Sequence, residues 1–278
     1  MITRRFVTIE EGQVHLREAG QENGGRPFVM LHASPGSSWT LIPLIEKFAE
    51  TRHVIALDTL GNGDSPPPRH TERDIKPFAD AHLRALDALG VGEFDLYGSH
   101  TGGSIASEIA IAHPTRVRCL IFDGMSYYTP EMRDEMLENY APGITVDYNG
   151  QHIQWIWNFV RDTYVYWPWY RRSQSARRNV PIPSADQLHD KAIEVLKSAR
   201  SYHLPYQAAI AYPKTERLPL ITVPTFLTCS EQDMFAEYFD QIRAIIPDSE
   251  ATMTPGYKTP ERAAQTVTLM NDFLNRHA

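Results

Sequence analysis

The chain has 278 residues, 42% hydrophobic and 22% charged, which is enough for one substantial α/β domain or for a domain carrying an inserted subdomain. Its 27 basic and 34 acidic residues leave a formal charge of −7, which argues against a dedicated nucleic-acid surface. No segment approaches the roughly 18 consecutive apolar residues of a membrane span. The arginine pair Arg4-Arg5 has no apolar run behind it, so no secretory or twin-arginine signal is read and a cytoplasmic protein is expected. The two cysteines, Cys119 and Cys229, fall near the start of one expected strand and near the end of another. Parallel neighbours in that register hold their Cα atoms too far apart to bridge, so reduced core thiols are expected.

In chain order, Arg4–Ile9 and Val14–Glu18 alternate around Glu11-Gly12 and read as an antiparallel hairpin. Phe28–Leu31 is a continuous apolar run fitting a buried central strand, and it leads into the small-residue loop His32–Ser38. Ser38 is placed to cap a helix running through Phe48. His53–Leu57 is the next strand, followed by the loop Asp58–Ser65 and a proline run. Asp74–Leu89 has helical spacing, with His82 on its apolar face as a packed helix histidine. A strand from Phe94, a helix from Thr101 and a strand over Val117–Phe122 follow. Such alternation predicts a mostly parallel sheet with helices on both faces.

The alternation stops between about 126 and 218, where only helical stretches and Pro-punctuated connections are read: Pro130–Tyr140, Gln151–Tyr166 and a Ser-capped segment over Ser184–Ala199. Four of the five tryptophans lie between Trp155 and Trp169, together with Phe159, Tyr164 and Tyr166, and with Tyr170 just beyond. Two readings stand for this cluster: the core of a small helical subdomain, or a lid over an apolar or aromatic ligand to which Trp155, Trp167 and Tyr170 contribute. Alternation resumes with strand Thr225–Cys229, helix Glu237–Ile246, a short strand Glu250–Met253 and a closing helix Pro260–Arg276.

The stretch around which these elements are arranged is Gly98-Ser99-His100-Thr101-Gly102-Gly103. An apolar strand enters a glycine-flanked turn that opens a helix, which is the shape of a nucleophile elbow, G-x-S-x-G. The residue at its centre is His100, and Ser99 lies one place too early.

Together with this elbow, three other segments carry a resemblance to the α/β-hydrolase fold with a helical cap inserted after the sixth strand: Leu31–Gly36 resembles an H-G-x-P-G oxyanion loop, Asp58–Ser65 matches D-x-x-G-x-G-x-S, and Pro224–Asp233 resembles a strand ending at the catalytic acid. The resemblance implies an eight-stranded, mostly parallel sheet, with core at 1–125 and 219–278 and cap at 126–218. It also implies an oxyanion hole from the backbone N–H groups of Ser34 and Thr101, with Asp233 as the acid. His32 is most often structural in the family; here it is also counted among the groups at the site. His203, beside Tyr202 and Tyr206, is either a surface residue or faces the cleft.

The family's Ser-His-Asp mechanism needs a late histidine, and after Asp233 the only one is His277, next to the C-terminus. Tyr257 falls near the missing position. A standard triad is therefore excluded, and three readings remain. His100, oriented by Asp233, acts as general base or acid on a small, largely apolar carbonyl-bearing substrate, in hydrolase- or lyase-like chemistry. Alternatively His100 is itself the nucleophile, forming an acyl-imidazole. Or the chain binds a small ligand without turning it over. Asp123, after the sixth strand, either caps a loop or takes an acid's part, an arrangement that cofactor-free oxygenases of the fold resemble. No His/Cys/carboxylate group has metal-ligand spacing and no G-x-G-x-x-G follows a strand, so neither metal nor nucleotide cofactor is expected, and the partner is a small molecule.

Overall fold

The computed structural model describes residues 1–246 and 248–277. Strands β1 (Thr3–Ile9) and β2 (Gly12–Ala19) form the expected hairpin, and β3 (Phe28–Leu31) follows. Helix α1 (Ile42–Phe48), β4 (Val54–Leu57), α2 (Lys76–Ala88), β5 (Phe94–Ser99), α3 (Thr101–Ala112) and β6 (Val117–Asp123) continue the alternation. Next come α4 (Pro130–Asn139), α5 (Gln151–Val165), α6 (Ala185–Lys197), α7 (His203–Ala211) and α8 (Lys214–Arg217). Strand β7 (Thr225–Ser230), α9 (Phe239–Ile245), β8 (Glu250–Thr254) and α10 (Pro260–Arg276) close the chain.

The eight strands form one sheet in the order β1-β2-β4-β3-β5-β6-β7-β8. β1–β2 and β2–β4 are antiparallel and every later pairing is parallel. Because side chains alternate across a strand, the apolar runs feed two cores. Val29, Leu31, Leu96 and Leu120 face α2 and α3 through Phe78, Leu86, Ile105 and Ile109. Phe28, Met30, Tyr97 and Ile121 face α1 and α10 through Ile45, Phe48, Met270 and Phe273. Burial on both faces is why these strands read as unbroken hydrophobic stretches.

The segment after β6 holds a third apolar cluster, in which Tyr140, Phe159, Trp169, Val195 and Tyr202 are buried together. Its α6 begins with a capping box, the Ser184 hydroxyl taking the Gln187 N–H while the Gln187 side chain accepts from the Ser184 N–H. α7 bridges two cores, with Ala208 and Ala209 packed against the sheet side and Ile210 in the upper cluster. The helix expected from Ser38 begins instead as a 3-10 turn over Ser38–Leu41, capped by the Ser37 hydroxyl, because the Asp58 carboxylate holds the Ser38 N–H at 2.7 Å. Both cysteines are buried and unpaired. No described helix is long and apolar enough to cross a membrane.

Candidate active site

β5 and α3 meet at His100, whose backbone has φ 48° and ψ −104°. A non-glycine residue at positive φ is strained, and this turn lifts the imidazole above the carboxyl ends of the strands. The surroundings hold it there. A side chain at Gly102 would place its Cβ 2.2 Å from the Leu31 carbonyl oxygen, so only glycine lets α3 approach β3 this closely. The His100 N–H donates to the Gly124 carbonyl at 3.2 Å.

His100 Nε2 lies 3.0 Å from Asp233 Oδ2, across the gap between the ends of β5 and β7. Asp233 is itself fixed by accepting the Phe235 N–H at 2.8 Å, and the Phe235 ring lies tilted against the imidazole, centroids 5.9 Å apart. Burial disfavours the imidazolium, but the Asp233 carboxylate outweighs burial and raises the His100 pKa. On Asp233 burial pushes upward, and the attraction of His100 prevails and holds the carboxyl below its ordinary value. Nε2 is the nitrogen turned to the carboxylate, and Nδ1 has no partner among the described residues.

His100 borders a partly open cavity of about 200 Å³ lined also by Ser34, Thr101, Tyr128, Phe159, Trp167 and Phe235, among others, with Asp233 behind it. The amide N–H groups of Ser34 and Thr101 donate to no acceptor among the described residues, Thr101 being the first residue of α3. A larger, more open cleft of about 570 Å³ lies beyond, sharing Tyr164 and Lys191 with the cavity.

Several expected site residues lie elsewhere. His32 is fully buried beneath the loop: its Nε2 accepts the Thr59 N–H at 3.0 Å and its Nδ1 donates to the Ala33 carbonyl at 2.8 Å. It is a loop anchor and does not line the cavity. Trp155 stacks on Phe159 at 5.2 Å and meets Trp169 edge-on, within the upper core. Tyr170 points its hydroxyl to Glu135 at 2.9 Å. His203 packs by Gly143, away from the cavity. Of the three aromatic residues proposed for the lid, Trp167 alone reaches the cavity, where Phe159 and Tyr164 of the same cluster join it, so the cluster supplies both packing and cavity wall.

Buried Asp123 and exposed Tyr257 form a separate group. The Tyr257 hydroxyl donates to Asp123 Oδ2 at 2.6 Å, Tyr97 donates to the same oxygen at 2.8 Å, and Thr228 lies at 3.4 Å from Oδ1. Burial raises the Asp123 pKa against these donors. Asp123 and Tyr257, like Asp233, lie outside the cavity lining, and unlike Asp233 they make no hydrogen bond or ion pair with His100 among the described residues.

Sequence reasoning passed over Gly124, Arg178, Lys191 and Phe235. Gly124 has φ +74°, and a Cβ there would sit 2.8 Å from Asp233 Oδ2 and 2.9 Å from His100 Nε2. Lys191 had a readable signal: with Leu188, Ala192 and Val195 it occupies the i, i+3, i+4, i+7 face that α6 turns inward. Arg178 lies in irregular backbone with no such signal. One cluster of possible metal-ligand geometry, His15, Asp58 and Asp64, was also missed, because its members come from distant segments. Protein cations already attend it: Arg4 donates to His15 at 2.9 Å and to Asp64 at 2.5 Å, and Lys197 lies 3.3 Å from Asp64.

A parallel sheet with a strained histidine elbow, an acid at the end of β7 and unengaged amides beside a cavity defines a class of protein. The chain belongs to the alpha/beta hydrolase fold family, whose model matches residues 26–254. It is 37% identical over 117 residues to 2-hydroxymuconate semialdehyde hydrolase of Pseudomonas sp. strain CF600, covering 40% of each chain. It is 27% identical over 140 residues to proline iminopeptidase of Heyndrickxia coagulans, covering 50% of this chain and 49% of that one. The chain thus spans about half the length, or less, of these curated relatives. Among solved structures, the enol-lactonase from Burkholderia xenovorans LB400 superposes with a TM-score of 0.74 at 16% identity, over 98% of this chain and 100% of that one. An epoxide hydrolase from an endophytic Streptomyces gives 0.75 at 16% identity, over 99% and 95%.

Proposed function

We propose that the chain is a hydrolase of small carbonyl compounds in which the His100–Asp233 pair is the general base and water is the nucleophile. The observation that carries this reading is the 3.0 Å contact between His100 Nε2 and Asp233 Oδ2. Asp233 holds the proton on Nε2 and stabilises the imidazolium, as the acid of a triad does. His100 Nδ1 takes a proton from water as the water oxygen bonds to the substrate carbonyl carbon. The resulting oxyanion is met by the Ser34 and Thr101 N–H groups. Collapse expels the leaving oxygen, which recovers the proton from Nδ1. Each step uses one group where a triad uses two.

Relatives named for semialdehyde and dienedioate hydrolysis support a small carbonyl substrate. We assign 126–218 as the cap and 1–125 with 219–278 as the core, and place the protein in the cytoplasm, consistent with two buried reduced thiols.

Incubation with a panel of small aryl esters and enol lactones, each with and without a free carboxylate, in ¹⁸O-water tests the reading. Label in the product carboxylate, with no adduct on the intact protein by mass spectrometry, is the expected result. An acyl adduct on His100 would select the nucleophilic reading, and absence of turnover across the panel would select the binding reading.

A further inference from the structure

The cavity is lined by three basic side chains, His100, Arg178 and Lys191, and among the described residues by no Asp or Glu. This stands out in a chain whose formal charge is −7. Lys191 makes no ion pair or side-chain hydrogen bond with any described residue. Its nearest carboxylate, Glu194, is taken up by the Ser37 hydroxyl and by Lys197 at 2.9 Å. The ammonium lies against the oxyanion loop, so close that a Cβ on Gly36 would be 3.2 Å from Nζ. Arg178 donates to two carbonyls, Thr163 at 2.8 Å and Gln232 at 3.3 Å, and makes no ion pair among the described residues, its charge acting on Asp233 only through space. A cation partly withdrawn from water without a counterion is costly. Retaining two at one small cavity makes sense where a ligand supplies the negative charge.

We propose that Lys191, with Arg178, forms an anion subsite that holds a carboxylate of the substrate, while the aromatic wall of Tyr128, Phe159 and Trp167 takes its apolar body. The substrate is then a small carboxylic acid bearing the reacting carbonyl, rather than a neutral ester or lactone. This rests on the cavity being the substrate site, as proposed above, and it is independent of the chemistry assigned to His100. Lys191 is at the throat shared with the outer cleft, so it also meets an incoming anion first.

The test is binding to His100→Ala protein, where turnover cannot interfere, by calorimetry or ligand-observed NMR. The probes are benzoylformate, 4-oxopentanoate and adipate, each against its primary amide. At least one acid binds about tenfold or more tighter than its amide, Lys191→Met removes that difference, and Lys191→Arg keeps it within about threefold, as expected for a charge-assisted contact. If no acid binds, if every amide binds as well as its acid, or if Lys191→Met leaves acid binding unchanged, the subsite is refuted. Acid binding to a wild-type protein that hydrolyses none of the esters or lactones tested would sink the base assignment alone.

Discussion

The Tyr257 hydroxyl donates to Asp123 at 2.6 Å and leaves Asp233 to His100. The side chain nearest the place of the missing late histidine thus reaches a different acid. Two carboxylates at the ends of adjacent strands have their pKa values pushed in opposite directions by their surroundings. Asp123 is buried among hydroxyl donors with a raised pKa, while Asp233 faces an imidazole and is held ionised. Environment pushing neighbouring titratable groups apart is a recurring way of assigning acid and base roles.

The pH dependence follows from the direction of the His100 shift. The base must be neutral to accept a proton, so kcat/KM falls as pH drops through the free-protein pKa of His100. That pKa is raised, so the midpoint lies above the ordinary imidazole value of about 6.5. Imidazole NMR titration of wild type and Asp233→Asn checks it, the variant titrating lower. For stability the sign is opposite: the pair's contribution is present below the unfolded-state pKa and lost as pH rises through the folded value. Asp233→Asn lowers turnover by about 10²–10⁴-fold, the usual range for a general-base contribution.

Ser99 does not border the cavity. A fluorophosphonate probe therefore leaves the protein unlabelled by mass spectrometry, and Ser99→Ala retains wild-type turnover. Labelling at Ser99 would restore a serine mechanism.

Gly124→Ala introduces a Cβ at positive φ, 2.8 Å from Asp233 Oδ2. The mismatch costs about 1 kcal/mol or more in stability. Because the obstruction falls between the paired groups, turnover drops by more than the stability loss accounts for. Thermal unfolding and kinetics on the same preparation separate the two effects.

Asp58 is a buried anchor for the site loops, accepting the Ser38 N–H at 2.7 Å and the Asp64 N–H at 3.0 Å beside His15 at 2.9 Å. Burial opposes its ionisation, but His15 and the other donors prevail and depress its pKa. Its contribution is present above the unfolded-state pKa and lost as pH falls through the folded value. Asp58→Ala costs about 3–5 kcal/mol, the range for breaking a buried pair, and denaturant unfolding measures it.

Much of the fold was legible because both faces of the central strands are covered, which writes apolar runs and turn signals directly into the chain. α10 was read to the residue from its Pro at the first turn. The His100–Asp233 pair was legible because the elbow and the end of β7 each carry local signals. The cavity wall was not. Trp155 and Tyr170 resemble lid residues by composition, and only packing against Trp169 and Glu135 shows where they point. Arg178 reaches the site through backbone with no periodicity, so nothing local announces it. Asp123 and Tyr257 lie 134 positions apart in the chain, and their hydroxyl–carboxylate contact is a product of topology alone.

The most direct test of the account is the turnover of His100→Ala against wild type on a substrate that the wild type hydrolyses, with ligand affinity measured alongside. A fall in kcat of about a hundredfold or more with affinity kept within a few-fold is the predicted result. A variant that turns over at the wild-type rate would contradict it.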